Sequence, residues 1–243
     1  MIHIHYKSCT STQKILESLL ESQEIDWENY LISAESQSQG VGQRVNQEQQ
    51  NSWFSTSQSL AMSFCIPAHQ PEYTLSSAKV AVLIVDYLKN KWGIRHLGVK
   101  WPNDIYRKDN LRKVGGILIQ NVQSHLIIGI GLNLFHDPSL PIPPDLEHKL
   151  SIIGLENLHP LETSKELYLF IKDNWPKWNS AQIISYWQEH CIHLNKIIYD
   201  KSNSELGVFL GLGHIGQGLL ENGQELFNGP IDYKKFDPDL VQK

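Results

Sequence analysis

The residues of this chain best able to do chemistry are two lysines, an aspartate and two asparagines between Leu97 and Leu134. Lys100-Trp101-Pro102-Asn103-Asp104 is followed by Lys113-Val114-Gly115-Gly116 and then by Ile128-Gly129-Ile130-Gly131-Leu132-Asn133. Fixed ammonium groups stabilise negative charge developing at a carboxyl or phosphate group. A glycine pair inside an apolar strand either bulges or leaves room for a ligand where a Cβ would stand. Lys100 or Lys113 alone reads equally well as a solvated strand-end lysine. In company with Asn103, Asp104 and the paired glycine, they point to a ligand.

The elements around these residues are legible from pattern. Three β-rich runs are joined by turn chemistry at Arg107–Asn110 and Asn121–His125. The second and third runs are nearly all apolar, as in a covered sheet. Pro102 cannot donate to a ladder and ends the first run. Upstream, Ile2–Tyr6 and Tyr30–Ala34 read as strands, and Ser11 or Thr12 caps a helix with Ile15, Leu16, Leu19 and Leu20 on one face. Ser59–Phe64 alternates small and bulky residues. Ser76-Ser77 cap a helix that runs to Trp92 and packs in the core. Asp137–Pro144 holds four prolines and reads as a rigid connection. Pro160–Lys172, with Thr163 or Ser164 as cap, and Ser180–His190 are expected to be helices packed on the back of the sheet. From Leu194 the pattern shortens to Lys196–Asp200, Leu206–Gly211, Gly216–Glu221 and Gln224–Phe227, with a hairpin signal at Asn222-Gly223. Leu210–Gly213 lacks a following helix and reads as turn and bulge.

Composition bounds the function. The chain has 243 residues with a net charge of -5, which argues against nucleic acid or an anionic membrane as the main partner. No run reaches the length of a membrane span, and the opening residues show no secretory pattern. Cys9, Cys65 and Cys191 suit a reducing cytoplasm, and the scattered histidines have no metal-ligand spacing.

Lys100–Ile105, Lys113–Ile119 and Ile128–Asn133, in this order and spacing, resemble the catalytic core of biotin protein ligases. The resemblance implies an α+β fold: a mixed central sheet packed by helices, of class II synthetase type, over residues 1–192, and an SH3-like barrel over 193–243. In that barrel, Ile215–Leu220 resembles the family's Ile-x-x-Gly-x-Leu passage. It further implies that Ser11 and Thr12 reach biotin, with Gln13 where the family has asparagine. Gln37, Gly40, Gly42, Gln43 and Arg44 keep the frame of the family's glycine- and arginine-rich loop, in which Gln37 lies near the biotin rings. Val41 stands where the family has its first arginine and Val45 where it has a glycine, and the resemblance implies an insertion of about five residues around Gln47–Gln50 before Trp53. Valine at 45 removes the freedom of positive φ there.

The activity implied has two steps. Biotin's carboxylate attacks the α-phosphorus of Mg-ATP, giving biotinyl-AMP and pyrophosphate, and a lysine of a biotin carboxyl carrier domain of acetyl-CoA carboxylase or another carboxylase then takes the acyl group. Lys113 matches the lysine that touches both carboxyl and phosphate, Arg44 clamps phosphate, and Lys100 adds positive potential. Asp104 positions Mg²⁺ or the incoming amine, or only caps its own turn. Asn103 and Asn133 hydrogen-bond the nucleotide, Trp53 covers adenine or the loop, and Gly115 and Gly116 line the biotin pocket. No resident metal is expected, since Mg²⁺ arrives with ATP. The helix at residue 11 leaves no room for a preceding DNA-binding domain, so a monofunctional ligase, monomer or homodimer, is expected. The alternatives are a degenerate ligase that binds biotin without turnover and a lipoate-type ligase of the same fold.

Overall fold

Alternation of large and small residues in the central strands decides which side of the sheet is filled. The computed structural model describes residues 1–22, 27–46, 49–53, 58–68, 74–122, 124–135, 149–154, 159–200, 202–227 and 231–233, with the backbone alone at 27, 41–46, 49–53 and 58. Strands β1 (Ile2–Cys9), β2 (Tyr30–Gln37), β5 (Gln58–Pro67), β6 (Leu97–Lys100), β7 (Asp104–Arg107), β8 (Lys113–Val122) and β9 (His125–Phe135) form one seven-stranded sheet, ordered β1-β2-β5-β9-β8-β7-β6. Its β1–β2 pair is parallel and the other pairs are antiparallel. The architecture is therefore α+β with a mixed central sheet.

On one face Leu60, Met62, Phe64, Ile128, Ile130 and Leu132 meet α2 (Ser76–Trp92), α3 (Pro160–Asn174) and α4 (Ser180–His190) in the main core. Helix α2 is buried on nearly all sides, so its apolar residues are not confined to one stripe. It ends at Gly93, whose φ of 69° allows the Gly93 and Ile94 N–H groups to return to the Lys89 and Leu88 carbonyls. Two of the expected caps are corrected. Leu75 precedes α2 without a side-chain cap, Ser76 is its first residue, and the Ser77 hydroxyl instead donates to the Pro102 carbonyl at 3.3 Å. Helix α3 starts on Pro160 after His159, which places Thr163 and Ser164 inside it; proline suits the first position because its missing N–H would go unpaired there anyway.

The other face is covered differently. Helix α1 (Thr12–Glu21), capped by Ser11, lays Leu16 and Leu20 on Ile32, Cys65 and Ile127. Beyond its N-terminus the register brings Ala34, Ala61, Gly131 and Gly116 side by side. A row of residues with little or no side chain leaves a hollow.

The segment read as a glycine-rich loop is a hairpin in its backbone. Strands β3 (Gly40–Asn46) and β4 (Gln49–Trp53) pair from Gly40↔Trp53 to Asn46↔Gln49, with a bulge between Val41 and Val45. Valines at 41 and 45 favour extended backbone, and part of the inserted stretch supplies β4. Element β3 comes against β8. Asp137–Pro144 lies outside the described residues.

At the C-terminal end, β10 (Ile197–Tyr199), β11 (Glu205–Leu212), β12 (Gly218–Leu220), β13 (Glu225–Leu226) and β14 (Asp232–Tyr233) form an antiparallel sheet ordered β13-β12-β11-β10-β14. Gly223 takes the left-handed turn at φ 83°, and Gly211, at φ 136°, sits at a bulge. The small sheet shares the main core through Ile198, Phe209 and Leu220. The segment leading into it and the β11–β12 turn hold the edge of the large sheet: Cys191 bridges to Val99, Ile192 N–H donates to the Val99 carbonyl, and the Trp101 indole N–H donates to the Gly216 carbonyl at 3.2 Å. No helix among the described residues is long and apolar enough to cross a membrane.

Candidate active site

The hollow beside α1 is an open cleft. Its floor is the row Ala61–Gly131–Gly116–Asp104 and the next row, Ser63–Gly129–Leu118, about 7 Å away by strand geometry. Ser11, Thr12 and Gln13 at the start of α1, with Gln37, line one end, and Asn103 and Lys113 line the other. Small residues in the floor and polar groups at both ends make a slot for an extended ligand with two different termini.

The cationic end is held together by an ion pair. Lys113 Nζ lies 2.5 Å from Asp104 Oδ1, both side chains being about a quarter exposed or less (28% and 18%). The pair lies over Gly116, where an added Cβ would stand 3.3 Å from Lys113 Nζ and 3.5 Å from Asp104 Oδ1. Lys113 also has a fixed backbone: its N–H donates to the Lys149 carbonyl and its carbonyl accepts from Ser151. Asn103 continues the β7–β8 ladder with its side chain, Nδ2 donating to the Ile117 carbonyl at 2.6 Å while its own carbonyl accepts from Ile117 N–H. An ammonium anchored in this way is preorganised, which is what stabilisation of a developing anion requires.

The opposite end is uncharged. The Thr12 N–H donates to Gln37 Oε1 at 2.7 Å, and the Thr12 and Ser63 hydroxyls are 2.9 Å apart. Ser63 donates to Gln13 Oε1 at 3.0 Å, and Gln13 Nε2 donates to Gln120 Oε1 at 2.7 Å and to the Ile127 carbonyl at 3.4 Å. Gln13, Thr12 and Ser63 are all buried. Such a chain of neutral donors and acceptors presents a polar, uncharged surface without the cost of burying a charge.

The structure brings together Ser11, Thr12, Gln13, Gln37, Asn103, Asp104, Lys113 and Gly116 of the residues singled out in the sequence. It sends three others elsewhere. Gly115 faces the opposite side, against Leu132 and Ile105, because it pairs with Leu132 in the core row. Lys100 lies directly opposite Asp104, but on the outermost strand, where the small sheet packs. Its ammonium is held by Asp232 Oδ1 at 3.2 Å, between the rings of Tyr106 and Tyr233. Asn133 is buried and spans from the Ser59 hydroxyl to the Ser151 carbonyl, fastening residues 149–154 to the sheet. The side chains of Gln43, Arg44 and Trp53 lie outside the described residues, as does the surrounding of Gly42. Gly129, Gly131 and Ser63 went unassigned in the sequence, although the period-two alternation of glycines in β9 and of small residues in β5 carried the signal. Among the described residues no three histidine, cysteine, aspartate or glutamate side chains converge to hold a metal, and Asp104 is committed to Lys113.

The fold and the cleft thus define a sheet-lined slot with uncharged polar groups at one end and the Lys113 ammonium at the other. The chain belongs to the biotin/lipoate A/B protein ligase family, whose model matches residues 6–133, more than half of its length. Its structure is similar to that of the biotin protein ligase from Aquifex aeolicus in complex with biotin and ATP (TM-score 0.75, 20% identity, 96% of this chain and 98% of that chain). It is also similar to the biotin acetyl coenzyme A carboxylase synthetase from Helicobacter pylori with bound biotinylated ATP (0.68, 21%, 96% and 99%). A third likeness is to the biotin protein ligase from Leishmania major in complex with biotinyl-5-AMP (0.59, 20%, 92% and 97%). At these identities the likeness is one of fold.

Proposed function

We propose that this chain is a biotin protein ligase, joining biotin to ATP and passing the acyl group to a lysine of a carboxylase's biotin carrier domain. The observation that carries this reading is the polarity of the cleft, with neutral carboxamides and hydroxyls at one end and Lys113 at the other. Biotin has the matching polarity, a cyclic urea head and a carboxylate tail. A lipoyl group has an apolar dithiolane where biotin has a polar urea, a poorer match for an end lined by carboxamides and hydroxyls.

On this reading biotin's carboxylate lies at Lys113. One of its oxygens forms a bond to the α-phosphorus of ATP, and the bond from that phosphorus to the bridging oxygen of pyrophosphate breaks. Lys113 stabilises charge at the carboxyl–phosphate junction, and Asp104 holds Lys113 in place. In the second step the carrier's amine nitrogen bonds to the acyl carbon and AMP leaves with its electron pair. From its place beside Lys113, Asp104 serves in this reading to orient the amine. Mg²⁺ enters as part of the nucleotide substrate, and no step here is assigned to a resident metal. Arg44 serves as a phosphate partner from the β3–β4 hairpin.

The test is biotin-dependent exchange of labelled pyrophosphate into ATP, run with and without an apo carrier domain, with lipoate as the competing acid. Exchange with biotin and transfer to the carrier lysine are expected. Exchange with lipoate alone would move the protein to the other branch of the family. Tight biotin binding without exchange would point to a degenerate ligase, the reading that Val41 and Val45 favour.

A further inference from the structure

The inner end of the cleft is closed by a side chain that departs from the pattern the chain otherwise resembles. Gln13 stands where an asparagine is expected, and its longer side chain is fully used. The carboxamide sits in the place that a side chain at 129 would occupy: a Cβ built on Gly129 would collide with Gln13 Oε1 and stand 3.2 Å from Cδ. From that seat the oxygen accepts from Ser63 and the nitrogen reaches across to Gln120 Oε1 and the Ile127 carbonyl. An asparagine would withdraw the amide by one methylene and would not span to β8. Gln13 is only 4% exposed, so the amide is held rather than draped.

We propose that the Gln13 carboxamide, seated over Gly129 and tied to Ser63 and Gln120, is the stop that sets how large a head group this cleft accepts. The proposal rests on the reading that the uncharged end takes the urea head. A side chain at 129 would meet the end of the Gln13 side chain, so the two positions act as one unit. Gly129→Ala pushes the amide out of its seat and into the cleft, while Gln13→Ala removes the stop. Gln13 acts through fit, so its substitution shifts the choice between ligands more than it shifts turnover.

The experiment uses the whole chain and pyrophosphate exchange, with biotin and a biotin methylated on a urea nitrogen as probes. In Gln13→Ala, the ratio of kcat/KM for the methylated analogue to that for biotin should rise about tenfold or more, the usual worth of a methyl-sized misfit. In Gly129→Ala, KM for biotin should rise about tenfold while kcat changes little. In the double variant the alanine at 129 should cost nothing further, because the atom it strikes is gone. Thermal unfolding of the same four proteins reads the coupling without any ligand. A selectivity ratio unmoved by Gln13→Ala, or additive effects of the two substitutions in both KM and Tm, would overturn the proposal. Failure of the biotin reading itself would show in the wild-type protein, as absence of biotin-dependent exchange. Failure of the stop would show only in the variants.

Discussion

Replacing Lys113 with glutamine removes the charge at the centre of the proposed site and changes little else. A unit charge about 4 Å from a developing anion, at an effective dielectric near 20, is worth roughly 4 kcal/mol. Loss of a single preorganised oxyanion donor costs about 10²–10³ in rate. The two estimates agree on a fall of about a thousandfold in biotin-dependent pyrophosphate exchange for Lys113→Gln. Part of that fall comes from Asp104, since Lys113 Nζ now holds its carboxylate at 2.5 Å. Without the ammonium, Asp104 turns an unpaired negative charge towards an incoming carboxylate. Adding Asp104→Asn to Lys113→Gln should therefore recover about tenfold, or roughly 1.4 kcal/mol. The same ion pair is partly exposed and adds at most about 1 kcal/mol to folding. Thermal unfolding should hardly move, and that separates a role at the substrate from a role in the fold. Exchange above about a tenth of wild type at saturating ATP in Lys113→Gln would refute this account of the cation. A double variant no better than the single one would refute the account of Asp104.

Three further outcomes follow from the packing. Trp101→Phe keeps the buried ring but loses the N–H that donates to the Gly216 carbonyl; it should cost about 1 kcal/mol and lower Tm by about 2–4 °C in a scanning calorimeter. Burial, with Lys100 and Lys196 nearby, holds His193 down at about 3, so it is neutral when folded while an unfolded histidine takes up a proton below its ordinary value of 6.5. The stability that the neutral ring allows is complete above pH 6.5 and declines as pH falls towards 3. Between pH 7 and 4.5 this group alone should remove about 2–3 kcal/mol, and urea titrations of His193→Gln should lack that part of the slope. Burial pushes the Cys65 and Cys191 thiols up to about 12. A maleimide applied to the folded protein at pH 7.5 should therefore label Cys9 first, and peptide mapping that finds Cys65 modified as fast would contradict the packing of α1 over it.

Much of the fold was legible in the chain because its signals are local. Strand runs, the turn at Asn222-Gly223 and the apolar spacing of α2 each depend on residues within a few positions of one another, and the structure has them where pattern places them. Caps were less legible. Serines before α2 and within α3 looked like caps, but Ser77 finds the Pro102 carbonyl and α3 begins on Pro160. The hairpin at 40–53 is masked in the sequence by glycine spacing typical of a loop, with only the two valines to favour strands.

Residue type and spacing alone marked Lys113, Asp104 and Gly116, three members of the cleft's cationic end. They belong to strands that follow one another in the chain, so local turns suffice to bring them together. The other end of the cleft is assembled from α1, β2, β5, β8 and β9, and only the cross-strand register places Thr12, Gln37, Ser63, Gln120 and Gly129 in one network. The same register turns Gly115 to the core and Gly116 to the cleft, a choice of face that two adjacent glycines cannot announce in sequence. The partner of Lys100 was still less accessible. Asp232 lies far along the chain, and the long-range packing of the small sheet on the edge strand, rather than anything near Trp-Pro-Asn-Asp, holds that ammonium where it is.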